Sequence, residues 1–147
     1  MPGRNKSRAR ALQVLYPIDV RKIAVDESLH AFYTSLHSTE EIPTERLDKD
    51  KFMEEIVHGV LRNQVAIDDA ITRHSTNWRI ERMAPVDRNI LRIAIFELQQ
   101  GELQPAVVID EALELATRFS GKESAGFING LLDAVRKAKQ AATADKA

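Results

Sequence analysis

The sequence predicts an all-α fold, a compact bundle of about seven helices in two helical halves. Three observations predict it. Glycine and proline are sparse, 6 and 5 in 147 residues, and they stand where helices should begin or stop. Aromatic residues make up only 5% of the chain, and no stretch alternates apolar and polar residues for long, which argues against an extensive sheet. Apolar residues recur instead at the three- and four-residue spacing of one helix face.

The first helix is expected over residues 5–16 or slightly beyond, with Ala11, Leu12, Leu15 and Ile18 as its apolar stripe. Pro17 should end or kink it, because its ring removes a backbone donor and crowds the preceding turn. A second helix over 25–36 buries Leu29, Phe32, Tyr33 and Leu36, and 38–44 reads as a loop containing Pro43. Thr44 is the expected N-cap of a long third helix that carries Phe52, Ile56, Val57, Val60 and Leu61 and continues through Ile67 and Ile71. Gly59 lies inside it at about 1 kcal/mol relative to alanine, so a kink or close helix contact is expected there. Ser75, Thr76 and Asn77 form a turn cluster, followed by a helical turn at 79–83.

Pro85 suits the first turn of the next helix, and Asp87 places negative charge where the helix dipole favours it. Ile90, Leu91, Ala94, Ile95 and Leu98 make one apolar face, and Gly101 ends the helix. Pro105 opens a helix that buries Val108, Ile109, Ala112, Leu115, Ala116 and Phe119 and breaks at Ser120 and Gly121. The last helix, over 123–139, buries Phe127, Ile128, Leu131, Leu132 and Val135. A single domain over 1–140 is expected, with halves at about 1–75 and 76–140 and a flexible tail at 141–147.

With no cysteine, the chain has no disulfide and no thiolate zinc site, and it fits a reducing compartment. There is no run of 18 apolar residues and no signal-type apolar stretch, so no membrane span is expected and the cytoplasm is the expected location. His30, His37, His58 and His74 fall in no metal-binding spacing, and adjacent Asp68 and Asp69 diverge on a helix. Glu114 and Arg118 are spaced to pair on a solvated face. Gly121-Lys122 ends like a phosphate-binding loop, but Ala116 stands where that motif needs glycine. Ser120 and Ser124 have no histidine nearby in sequence. No enzyme, cofactor or metal site is expected.

The net charge of −1 hides an asymmetry: residues 1–18 carry Arg4, Lys6, Arg8 and Arg10 and no acid, hence +4, which leaves −5 for the rest. Cations at a helix N-terminus oppose the macrodipole by about 0.3–1 kcal/mol each when exposed. Bound phosphates would offset this and also meet the free N–H groups of the first turn. Charge alone leaves open a solvated basic end, nucleic acid, an acidic protein or a membrane surface, the last disfavoured by a short stripe without tryptophan. Were the ligand RNA, Gln13 and Tyr16 behind the cations are the candidates for base contact. Four phosphate contacts would give a log–log salt slope of roughly −3.

Three segments together resemble the NusB transcription antitermination family. They are R-A-R-A-L-Q-V-L-Y from Arg8 to Tyr16; V-D-R-N-I-L-R-I-A-I-F-E-L from Val86 to Leu98; and V-I-D-E-A-L-E-L-A-T-R-F from Val108 to Phe119, followed by F-I-N-G-L-L-D from Phe127 to Asp133. Their order and spacing cover nearly the whole chain except residues around 20–50 and the tail. The resemblance implies an all-helical, non-enzymatic factor that binds the single-stranded boxA element of nascent ribosomal RNA. It implies NusE, a small ribosomal subunit protein, as partner, and an indirect action on transcribing RNA polymerase. Carried over by position, the RNA-binding set is Arg4, Lys6, Arg8, Arg10, Gln13 and Tyr16 on the first helix, with Lys122, Glu123 and Phe127 at the start of the last. Asp87 matches an acidic position facing NusE. Gly126 replaces a lysine common in the family, and Lys122 is the candidate substitute. Two other functions fit the same pattern: the RNA-binding domain of an rRNA cytosine methyltransferase, and a protein-only helical adaptor. A homodimer that masks the RNA surface is a further possibility.

Overall fold

A computed structural model of the chain describes residues 3–40, 49–76 and 79–146. It consists of α1 (Arg4–Arg21), α2 (Val25–Glu40), α3 (Lys51–Arg62), α4 (Gln64–His74), a 3-10 turn (Ile80–Arg82), α5 (Pro85–Gln100), α6 (Pro105–Phe119) and α7 (Lys122–Lys146). The fold is all-α, with no strand among the described residues. None of these helices is long and apolar enough to cross a membrane.

Helix α5 is the centre. It packs against α1, α3, α4, α6 and α7, so one core runs through both halves of the chain. Every residue from Asn89 to Leu98 is buried, including Arg92 and Glu97, where periodicity assigned α5 a single apolar face. Its ends follow the expected chemistry: Pro85 stands in the first turn, and Gly101 closes the helix in the left-handed region at φ 70°.

Several boundaries differ from expectation, and α2 also runs on to Glu40, into the segment read as a loop. Helix α1 continues through Pro17 to Arg21. The carbonyl of Gln13 loses its partner to Pro17, but Gln13 is exposed and water can take its place. The turn beyond is pinned from the core side, because Asp19 accepts hydrogen bonds from Arg88, Asn89 and Arg92 of α5. The long third helix is two helices broken at Asn63, whose side-chain amide donates to the Gly59 carbonyl at 2.8 Å and competes with the helical ladder. The proposed Thr44 cap lies outside the described residues; the cap seen on α3 is Asp50, which accepts from the Met53 N–H at 3.0 Å. Helix α7 runs on to Lys146, because its alanine-rich end contains no residue that stops a helix.

Gly59 is the close contact its position predicts. A Cβ there would lie 2.2 Å from the Phe96 ring. Gly59→Ala should therefore destabilise the fold, since overpacking of about 1–3 kcal/mol outweighs the gain of about 1 kcal/mol in helix propensity. A lower urea midpoint at unchanged slope checks this.

Candidate nucleic-acid interface

Arg4, Lys6, Arg8 and Arg10 at the start of α1 do not form one basic patch; the structure distributes them among four environments. Arg8 is 4% exposed, and its Nε and one terminal nitrogen donate to the Glu97 carboxylate at 2.6 and 2.8 Å. Its other terminal nitrogen lies 3.6 Å from Glu111 on α6. Burial alone would lower the pKa of Arg8, but hydrogen bonding and charge from Glu97 outweigh it and raise it. Arg8 thus joins α1, α5 and α6 inside the molecule, and its guanidinium faces carboxylates where an RNA contact would need it to face solvent. The signal was present in the sequence: Arg8 lies three, four and seven residues before Ala11, Leu12 and Leu15, on the buried stripe.

Arg10 is also drawn inward. It donates to Asp50 at 3.2 Å, and its guanidinium lies 5.9 Å from the Phe32 ring centroid. Asp50 in turn accepts from Ser7, and its own N–H donates to the Tyr33 hydroxyl, which donates to Glu54. Burial, first, and the bond to Glu54, second, push the Tyr33 hydroxyl pKa well up. Arg4 is exposed but stacks over Phe52 at 4.6 Å, beside a crevice that also touches Glu55, Glu97 and Glu102. At 100° per residue Arg4 points almost oppositely to Gln13.

Lys6 remains on the outward face. It is exposed and lies seven residues before Gln13, hence on the same side of α1. Gln13 and Tyr16 are exposed, and with Leu12, Val86 and Phe119 they line a shallow cleft of about 340 Å³. Phe119 is 37% exposed, where periodicity placed it in the core; it is the last residue of α6, just before the break, and neighbouring helices no longer cover it. Arg118 does not reach back to Glu114 but places its guanidinium 4.9 Å over the Phe119 ring.

The α6–α7 turn supplies the rest. Lys122 and Glu123 are exposed, and Phe127 is half-buried against the core. Phe127, Glu123 and Ser124 line a second cleft of about 290 Å³ with Arg82, Met83, Ala84 and Asp87, and Arg82 was not singled out from the sequence. Asp87 is turned inward at 9% exposure and accepts hydrogen bonds from Ser120 at 2.7 Å and Ser124 at 2.9 Å.

A buried network braces this surface from behind. Asp19 takes two bonds from Arg88, at 2.6 and 2.9 Å, while Arg92 bridges Asp19 and Asp68 of α4. Desolvation raises the Asp19 pKa, but the bonds from Arg88 and Asn89 and the charge of Arg92 outweigh it, so the net shift is down. A carboxylate with a lowered folded-state pKa stabilises the fold above its ordinary range, near 4, and loses that contribution as pH falls through the folded value. Stability should therefore fall on acidification below about pH 4, with a smaller fall in Asp19→Asn; acid–urea titrations of both proteins check this.

Helices cross-braced by buried ion pairs, with an outward face of amide, aromatic and lysine side chains, define a small all-α binding protein. Among the described residues no group of three His, Cys, Asp or Glu is placed to hold a metal ion. The chain belongs to the NusB family, whose model matches residues 5–137. It is 46% identical over 137 residues to the transcription antitermination protein NusB of Solibacter usitatus, covering 93% of this chain and 90% of that protein. Its fold is similar to that of T. maritima NusB, with a TM-score of 0.74 at 32% identity and 92% of each chain covered. It is also similar to a chain in a crystal structure of antitermination factors NusB and NusE in complex with dsRNA, with a TM-score of 0.74 at 28% identity, covering 92% of this chain and 96% of that one.

Proposed function

We propose that the protein is a cytoplasmic, non-catalytic antitermination factor that binds boxA-type single-stranded RNA together with NusE and so acts on transcribing RNA polymerase. The observation that carries this reading is family membership over residues 5–137, alongside relatives that are transcription antitermination proteins. The proposed RNA face runs from Lys6 through Gln13 and Tyr16 to Lys122, Glu123 and Phe127. Stacking on aromatic rings and an amide beside them suit unpaired bases, and the lysines suit phosphates. Arg8 and Arg10 support that face from within, and Arg4 lies on the far side of α1 over Phe52.

Titration of a boxA-type oligonucleotide, alone and with NusE, tests the reading. Tighter binding in the presence of NusE is expected. Capture of NusE with no RNA binding by either the chain or the pair would overturn it in favour of a protein-only adaptor.

A further inference from the structure

We propose that Asp87 is a positioning residue: by holding Ser120 and Ser124 it fixes the α6–α7 turn in the form that presents Lys122, Glu123 and Phe127. The inference rests on the RNA-binding reading above and gives Asp87 a task other than offering charge to a partner protein.

The turn has little else to hold its shape. Ser120, Lys122 and Glu123 are exposed, so apolar burial does not fix them. Gly121 adopts φ 138° with nothing within 4 Å of where a Cβ would stand. The N–H groups of Ser120 and Gly121 both donate to the Ala116 carbonyl at 2.8 Å, which ends α6 but does not orient the first turn of α7.

Asp87 supplies that orientation. One carboxylate oxygen accepts from Ser120 and the other from Ser124, on either side of the tripeptide 121–123. The two serine oxygens lie 2.8 Å apart, so the hydroxyls and the carboxylate form one closed triangle in which Ser124 donates to Asp87 and the Ser120 proton is shared between Asp87 and Ser124. Hydrogen bonds to a carboxylate are roughly twice as strong as neutral ones. The carboxylate sits on α5 next to Arg88, which grips Asp19 of α1, one turn beyond Tyr16. The clamp thus sets the turn in register with the exposed face of α1, so that one RNA strand meets both.

A double-mutant comparison with a single-stranded boxA-type oligonucleotide tests this. In the wild type, Phe127→Ala should weaken RNA binding about tenfold, as for loss of a stacking contact. In Ser120→Ala/Ser124→Ala, which alters an exposed turn and leaves the core intact, affinity should already be about tenfold lower, and adding Phe127→Ala should cost less than about threefold more. Asp87→Ala should behave like the serine pair. Asp87→Asn should bind within about threefold of wild type, because an amide accepts from one serine and donates to the other. A role in stability alone would leave the Phe127→Ala factor unchanged between backgrounds. Equal factors in the two backgrounds, or Asp87→Asn as weak as Asp87→Ala, would overturn the clamp while the RNA-binding reading stands. A wild-type chain that binds no RNA, alone or with NusE, overturns both.

Discussion

Arg8→Ala is expected to destabilise the protein by about 3–5 kcal/mol, the usual effect of removing one partner from a buried ion pair. The loss is large because the pair is bidentate and enclosed, with the Arg8 and Glu97 side chains 4% and 10% exposed. Without the guanidinium, Glu97 is left facing Glu111 across the site Arg8 occupied. Domains of this size are stable by only about 5–15 kcal/mol, so the variant should unfold at much lower urea. Arg4→Ala is the contrast: its guanidinium lies over Phe52 at the surface, and its loss should change stability by about 1 kcal/mol or less. Equal urea midpoints for Arg8→Ala and wild type would contradict this account of the buried pair. If the prediction holds, replacing Arg4, Lys6, Arg8 and Arg10 at once reports on folding and not on RNA contact.

Tyr16→Ala should leave the urea midpoint nearly unchanged and weaken RNA binding about ten- to hundredfold, as expected for about 1–3 kcal/mol of base stacking. Tyr16 is 39% exposed at the rim of the cleft shared with Gln13 and Phe119, so its ring is available to a base and contributes modestly to the core. Phe119→Ala should act in the same direction, since its exposed ring lines the same cleft. Fluorescence anisotropy of a labelled oligonucleotide, with urea unfolding in parallel, separates binding from stability. Unchanged affinity in Tyr16→Ala would remove the aromatic face from the proposed interface.

The fold was legible where each level of the sequence agrees. Pro85 and Pro105 open α5 and α6, Gly101 ends α5, and the apolar stripes of α6 and α7 give Ile109, Leu115, Ile128 and Leu132 as core. Boundaries failed where tertiary contacts overrode a local signal. Asp19, held by α5, carries α1 past Pro17, and an Asn63 side chain with no strong sequence signature divides α3 from α4. The site was half legible. The outward positions Lys6, Gln13, Tyr16, Lys122 and Glu123 are exposed as their pattern implies. The sequence alone presents Arg8, Arg10 and Asp87 as surface charge, because a charged residue carries no mark of its partner. Glu97, Asp50 and the two serines lie 89, 40, 33 and 37 residues away from those they bind. Position on the apolar stripe was the one local clue, and charge type obscured it.

The most direct test is the salt dependence of RNA binding, because it counts the cations that actually meet phosphate. With Arg8 enclosed, Arg10 held by Asp50 and Arg4 turned to the far side of α1 over Phe52, the cations named from the sequence that lie on the proposed face are Lys6 and Lys122, which together should contribute roughly −1.4 to the log–log slope, against the −3 implied by four contacts on α1. Lys6→Ala/Lys122→Ala, both at exposed positions, should make the slope shallower by about 1.4 without changing stability. A double variant that keeps the wild-type slope and affinity would contradict the placement of RNA across α1 and the α6–α7 turn.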